Sequence, residues 1–134
     1  MKFNNLIPEL RTSNFAKSLE FYTKVLGFKV EYRRKESQFA FLSLEGIQIM
    51  IEQNTPEWNT GKLKYPYRRG IHLQIIVKNV KKLLDALKKN NYPLYIELFE
   101  RWYKIKDNLG GLRQFLVKDP DGYLLRFAED LGTK

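Results

Sequence analysis

His72 is the only histidine of the chain, and there is no cysteine. These two facts narrow the available chemistry. A thiolate centre needs sulfur, and a two-histidine, one-carboxylate metal site needs a second imidazole. His72 could still serve as a base, but a base needs a partner that tunes it, and the sequence identifies none. A lone histidine on a strand is commonly a hydrogen-bonded packing residue. Gln74 lies two residues further on, shares its strand face and is a plausible polar contact. Arg126 is the second conspicuous residue, because it interrupts the apolar run Tyr123-Leu124-Leu125 before Phe127. Burying its charge unpaired would be costly. It is therefore either paired with a carboxylate such as Glu9, or a ligand contact whose rigid fork of donors clamps a carboxylate, phosphate or carbonyl. Both readings stand.

Aromatic side chains supply the rest of a candidate pocket. Phe39 and Phe41 alternate onto one strand face, and Met50 lies in the next apolar run. Trp102 and Tyr103 end a later strand, while Trp58, Tyr65 and Tyr67 fall in a loop region. Each alone is more economically a core residue. Together they suit a cleft for a planar ligand, with rings giving area and a few polar groups fixing orientation. Other constellations give little. Glu97 and Glu100 flank Phe99 without an evident partner, Gly110-Gly111 reads as a hairpin turn rather than a phosphate cradle, and no serine sits in a nucleophile elbow.

The elements that must position these residues form an internal repeat. Asn14 precedes a helical run from about Phe15 to Leu26, where Phe15, Leu19, Tyr22 and Leu26 form an apolar stripe. Sixty-five positions on, Asn79 precedes a second run that buries Val80, Leu83, Leu84 and Leu87. An asparagine at each start can accept a hydrogen bond from a first-turn amide. A strand-like run leads into each helix, Leu6 to Arg11 and Ile71 to Val77. Strand-like runs follow each: Phe28 to Arg34, Gln38 to Leu44 and Ile47 to Gln53, then Leu94 to Tyr103, Leu112 to Lys118 and Tyr123 to Ala128. Gly27 and Pro93 mark helix ends, and Glu45-Gly46 and Asp119-Pro120-Asp121-Gly122 mark turns. The pattern predicts an α+β fold of two strand–helix–strand–strand–strand (βαβββ) modules, residues 1–53 and 70–130, joined by linker 54–69 within a single domain of 134 residues. Each helix covers one sheet face, so the other faces are expected to line a cleft between curved sheets.

Net charge is +9. Much of the excess lies on or beside the second helix, as Lys78, Lys81, Lys82, Lys88 and Lys89, mostly off its apolar stripe. This reads as a solvated face rather than a nucleic-acid surface, since no basic stretch interleaves with aromatics. No apolar run approaches membrane-spanning length and the first residues are not a signal peptide, so a cytoplasmic protein without a membrane partner is expected.

The repeat and its motifs resemble the vicinal oxygen chelate superfamily of glyoxalase I, extradiol dioxygenases, fosfomycin-resistance enzymes and bleomycin-resistance proteins. The resemblance rests on Pro8-Glu9-Leu10-Arg11-Thr12 leading into Leu19 to Phe28, and on Phe115 to Phe127 with its Asp-Pro-Asp-Gly turn. The Leu124-Leu125-Arg126-Phe127 ending is most similar to the bleomycin-resistance branch. The resemblance implies a glyoxalase/bleomycin-resistance-like fold with metal ligands, in the enzymes, at the positions of Ile7, Met50, His72 and Arg126. The repeat agrees: Ile7 and His72 are equivalent, and Met50 and Arg126 each lie four past a turn glycine. Isoleucine has no lone pair, and a guanidinium repels a divalent ion. No catalytic residue, metal or cofactor is therefore expected, and the register of His72 favours a pocket-facing, non-catalytic role.

What the resemblance then implies is a homodimer that sequesters an aromatic, antibiotic-like small molecule. The expected ligand contacts are Phe39, Phe41, Met50, His72, Gln74, Trp102 and Arg126. Phe39 resembles the ring that stacks on drug in that branch. Bleomycin-resistance proteins present acidic grooves to a cationic drug, whereas this chain is basic and is expected to bring Arg126, Arg113 and His72 near the cleft. An anionic or neutral ligand is thus as plausible as bleomycin. The rival is a metal-dependent enzyme of the same superfamily with an atypical site, for example Glu9 and Glu52 with His72.

Overall fold

A computed structural model describes residues 1–67 and 69–134; Arg68, in the linker expected over 54–69, lies outside the described residues. The chain forms two compact units, Met1–Tyr67 and Arg68–Lys134. The first contains β1 (Glu9–Thr12), α1 (Phe15–Glu20), β2 (Lys29–Arg34), β3 (Phe39–Leu44) and β4 (Ile47–Gln53). The second contains β5 (His72–Ile76), α2 (Val80–Lys89), β6 (Ile96–Ile105), β7 (Asn108–Lys118) and β8 (Leu124–Thr133). Both modules have the expected strand–helix–strand–strand–strand order. Their four-stranded sheets have the equivalent orders β1-β4-β3-β2 and β5-β8-β7-β6, each with one parallel pair at the first strand. Among the described residues no helix is long and apolar enough to cross a membrane.

Both asparagines cap as their positions imply. Asn14 Oδ1 accepts the Lys17 amide at 3.1 Å, and Asn79 Oδ1 accepts those of Lys81 and Lys82 at 3.0 and 3.3 Å. The first helix does not stay α-helical to Leu26. From Phe21 to Val25 it widens into a π turn, with the Leu26 amide reaching the Phe21 carbonyl at 3.0 Å. Phe21 and Tyr22 are both buried in this turn. The Glu45-Gly46 turn has φ of 48° and 86°, the left-handed pair that a tight hairpin needs.

In the first unit Arg33, the ladder partner of Ala40, places its guanidinium 5.6 Å from the Phe15 ring centroid. This identifies the helix-covered face as that of Leu10, Ala40, Leu42, Ile49 and Ile51, all buried. In the second unit the Val80 amide donates to Glu129 Oε1 at 3.1 Å, so α2 covers the face of Glu129, Phe127 and Phe115. The Phe115 and Phe127 rings stack there with centroids 5.6 Å apart. Burying these apolar faces is the main stabilising term in each unit. The lysines of α2 are exposed, as their spacing predicts.

Several strand limits differ from the sequence reading: β1 starts at Glu9 rather than Leu6, and the last three strands differ further. β6 and β7 run on past Tyr103 and start before Leu112, so their turn falls at Lys106-Asp107 and Gly110-Gly111 lies inside β7. The reason is steric. A Cβ on Gly110 would collide with Ile105 Cδ1, and one on Gly111 would lie 2.6 Å from the Trp102 ring. The glycines let these side chains lie across the strand rather than bend it. β8 continues beyond Ala128 to Thr133, with a register shift between Gly111 and Leu112 that Leu131 absorbs.

Candidate functional site

On the helix-free face of the first sheet, β1, β4, β3 and β2 contribute Glu9, Met50, Phe41 and Tyr32 to one row, and Arg11, Glu52, Phe39 and Arg34 to the next. The register therefore brings Phe39, Phe41 and Met50 together as expected. The two phenylalanines are nonetheless 1% exposed. Tyr32 stacks on Phe41 at 5.2 Å and 15°, Phe3 meets its edge at 5.3 Å, and the Arg34 guanidinium sits 4.1 Å from the Phe39 centroid. These rings are covered by the protein's own side chains. Phe3 is held in place because the Asn4 amide donates to Gln48 Oε1 at 2.7 Å, and Gln48 Nε2 donates to the Lys2 carbonyl at 2.7 Å. In the next row Arg11 and Glu52 form a 2.6 Å ion pair, and the Arg11 Nη2 donates to the Glu57 carbonyl at 2.9 Å.

The helix-free face of the second sheet is built differently. Gln74 on β5 pairs with Arg126 on β8, and the guanidinium donates to Gln74 Oε1. That is the acceptor found for Arg126 among the described residues, in place of the carboxylate that sequence reasoning considered. Its Nε–H is buried and has no acceptor among the described residues. On β7, Gln114 is fully buried on the same face and donates from Nε2 to the Tyr103 hydroxyl of β6 at 2.6 Å, leaving its Oε1 unpaired. Each strand of the sheet thus contributes at least one polar side chain to this face, among them Gln74, Arg126, Gln114 and Tyr103. Desolvated groups left unpaired in this way cost about 1–3 kcal/mol each, so the face holds unused hydrogen-bonding capacity.

Beside this row lies a concavity of about 400 Å³, lined by Gln74, Ile76, Tyr103, Leu112, Arg126 and Asp130 among others. Ile105 extends the apolar wall, and Gly110 is what leaves room for it. The volume falls within the range of small-molecule sites, and apolar walls with a few polar groups are their usual composition. A larger groove of about 980 Å³ lies on the helix side of this unit, between α2 and β6. Its charges are of mixed sign, including Lys81, Lys88, Asp85 and Glu97. The amides at its helix end are already taken by Asn79 and Glu129. Unused polar groups lie on the other face, which makes the smaller concavity the candidate site.

Of the expected contacts in this unit, Gln74 and Arg126 line that concavity. His72 is exposed on the same face, on the rung with Leu124, but outside the lining. Trp102 does not join them. It pairs with Gly111, one residue out of phase with Tyr103, so it points to the opposite face, where the Lys134 ammonium lies 4.1 Å from its ring. Arg113 is likewise on the helix-covered face, between Glu100 and Glu129 at 3.6 Å from each. The sequence reading did not assign Ile76, Leu112 or Asp130 to the site and named Tyr103 only as a strand end. Alternation from Arg126 along β8 through Ala128 finds Asp130, provided the strand is allowed to continue.

The donor set fits no divalent ion. Met50 is a soft thioether beside exposed Glu9, Ile7 offers no donor, and Arg126 presents a cation already hydrogen-bonded to Gln74. Glu52, one of the two carboxylates that the atypical site with Glu9 and His72 would use, is held by Arg11. Among the described residues no group of three histidine, cysteine or acidic side chains is placed to hold a metal.

The fold recurs in proteins of known structure. A glyoxalase/bleomycin resistance protein/dioxygenase from Alicyclobacillus acidocaldarius is 21% identical with a TM-score of 0.67, over 96% of this chain and 92% of that one. TioX from Micromonospora sp. ML1 is 19% identical with a TM-score of 0.71, over 96% and 100%. A lactoylglutathione lyase from Agrobacterium tumefaciens is 10% identical with a TM-score of 0.62, over 96% and 95%. At such identities the likeness is one of fold. A comparison with curated proteins gives no match. The family model of the Glyoxalase/Bleomycin resistance protein/Dioxygenase superfamily matches residues 4–127. That match spans both modules and both motifs from which the fold was read, and the chain belongs to this superfamily.

Proposed function

We propose that this protein binds an aromatic, antibiotic-like small molecule carrying an anionic group, without a metal and without converting it, and so sequesters it in the cytoplasm. One observation carries the reading: Arg126, with a desolvated Nε–H lacking an acceptor, lines a concavity whose other walls are largely apolar. A carboxylate or phosphate is the natural complement of a guanidinium, and Ile76, Leu112 and Ile105 offer area to a ring. In the first unit the surface for a ring is Tyr32 and Arg34, which cover Phe39 and Phe41; Met50 lies on the same face. We further propose that the protein acts as a homodimer, on the strength of its resemblance to bleomycin-resistance proteins.

Binding without turnover is favoured because the residues at the superfamily's ligand positions supply no metal-binding set, and no serine sits in a nucleophile elbow. The test is a thermal-shift screen of aromatic carboxylates and their neutral amides, followed by calorimetry on wild type and Arg126→Ala. Binding to the native state raises the melting temperature. The expected result is tighter binding of the carboxylates, a preference that Arg126→Ala abolishes, and recovery of the compounds unchanged. Equal loss for acids and amides would mean that Arg126 serves the fold. Turnover by metal-free protein would overthrow sequestration.

A further inference from the structure

We propose that the concavity on the second sheet is bipolar and selects zwitterions: an anionic group on Arg126 and a cationic amine on Asp130, with an apolar body between. This rests on the reading of the concavity as a small-molecule site and adds the second pole. Arg126 and Asp130 both line it, and both lie on β8 on the helix-free face, pairing with Leu116 and Leu112 of β7. Four residues of strand separate them, about 13 Å at ~3.3 Å per residue. The stretch between the poles is walled by Ile76 and Leu112. Ile76 pairs with Ala128, the residue midway between them.

The two poles are free to act in opposite senses. Arg126 spends one donor on Gln74, and turning its buried Nε–H toward a ligand anion would repair a missing hydrogen bond. Asp130 is exposed and forms no ion pair among the described residues. Its Oδ1 accepts the Gly132 amide at 2.8 Å, which fixes the carboxylate. A dianion would be attracted at one end and repelled at the other, and a dication the reverse. A zwitterion of matching length satisfies both, and its binding orientation is set by the charges.

The probes are an aminomethyl-biphenyl-carboxylic acid with its charges at opposite para positions, the same acid lacking the amine, the methyl ester retaining the amine, and the shorter aminomethyl-benzoic acid. Affinities are measured by calorimetry at low salt with wild type, Asp130→Asn and Arg126→Gln. Asparagine keeps the Oδ1 acceptor for Gly132, so the turn is preserved. The expected result is three- to tenfold tighter binding of the long zwitterion than of the amine-free acid or the short zwitterion. Asp130→Asn should erase that preference without weakening the amine-free acid, and Arg126→Gln should weaken both acids at least tenfold. Equal binding of the two long acids by wild type, or a preference that survives Asp130→Asn, overturns the bipolar site while leaving the binding reading intact. Failure of every probe to bind at millimolar concentration overturns both.

Discussion

The Arg11–Glu52 pair offers a sharp test of how the first unit tolerates charge on its sheet. Arg11 and Glu52 are ladder partners on β1 and β4, with side chains 9% and 17% exposed and 2.6 Å apart. Arg11→Met keeps the length of the side chain and removes its charge. It leaves a mostly buried carboxylate without its cation and the Glu57 carbonyl without a donor. Breaking a buried pair from one side costs about 3–5 kcal/mol. The residual exposure of Glu52 argues for the lower end, about 3 kcal/mol. With an unfolding entropy of roughly 2.1 cal/mol/K per residue, a chain of 134 residues gives about 280 cal/mol/K and a fall in Tm of about 11 °C. Glu52→Met should cost at least as much, because Arg11 then keeps only a carbonyl. The double variant should recover most of the loss, since two methionines of similar volume bury without a charge. The assay is urea denaturation of all four proteins, with the coupling energy taken from the cycle. Single losses below about 1 kcal/mol would match a solvated surface pair, and additive losses in the double variant would show no coupling. Either outcome refutes the inference that this pair is desolvated.

Five further outcomes are expected. Asp119→Ala removes an acceptor that holds the Asp121 and Tyr123 amides at 2.9 Å each, and should cost about 2–4 kcal/mol by chemical denaturation, with Asp119→Asn recovering part of it. Gly111→Ala should cost about 1–3 kcal/mol and alter tryptophan fluorescence, because its Cβ meets the Trp102 ring at 2.6 Å. Gly110→Ala should cost less, because it meets only the end of the exposed Ile105 side chain. Elemental analysis after purification without added metal should find well below one divalent ion per chain. Sedimentation at micromolar concentration should give a homodimer, and a clean monomer over that range would remove the dimer from the proposed function.

The repeat made the fold legible. Two asparagine caps at equal spacing, a turn glycine four residues before Met50 and again before Arg126, and alternating apolar runs fixed the order of elements. The site was legible only in part, and the losses have physical causes. Trp102 and Tyr103 are adjacent in sequence, yet neighbours on a strand point to opposite faces, and only the register decides which one faces the polar row. Asp130 lies beyond the strand end expected at Ala128, whereas Lys134 and Leu109 exchange backbone hydrogen bonds at 2.9 Å and hold the strand to its neighbour. The covering of Phe39 and Phe41 could not be read either. Phe3 lies more than thirty positions away in sequence, and its approach depends on Gln48 bridging to Lys2 and Asn4.

The divergence of the two modules is itself an argument about function. Equivalent positions of the repeat carry Glu9, Met50, Phe41 and Phe39 in the first unit, and Gln74, Arg126, Leu116 and Gln114 in the second. The first unit closes its helix-free face with rings of its own: Phe3 and Tyr32 cover Phe41, and Arg34 covers Phe39. The second places a cation at the Met50 position and an amide at the Phe39 position, each with a polar atom left unpaired. Selection for stability alone favours apolar side chains at such buried positions, because a half-satisfied polar network is worse than an apolar one. The first unit shows that the same topology accepts the apolar solution. The unpaired atoms of Arg126 and Gln114 in the second are therefore the ground on which the proposed binding rests.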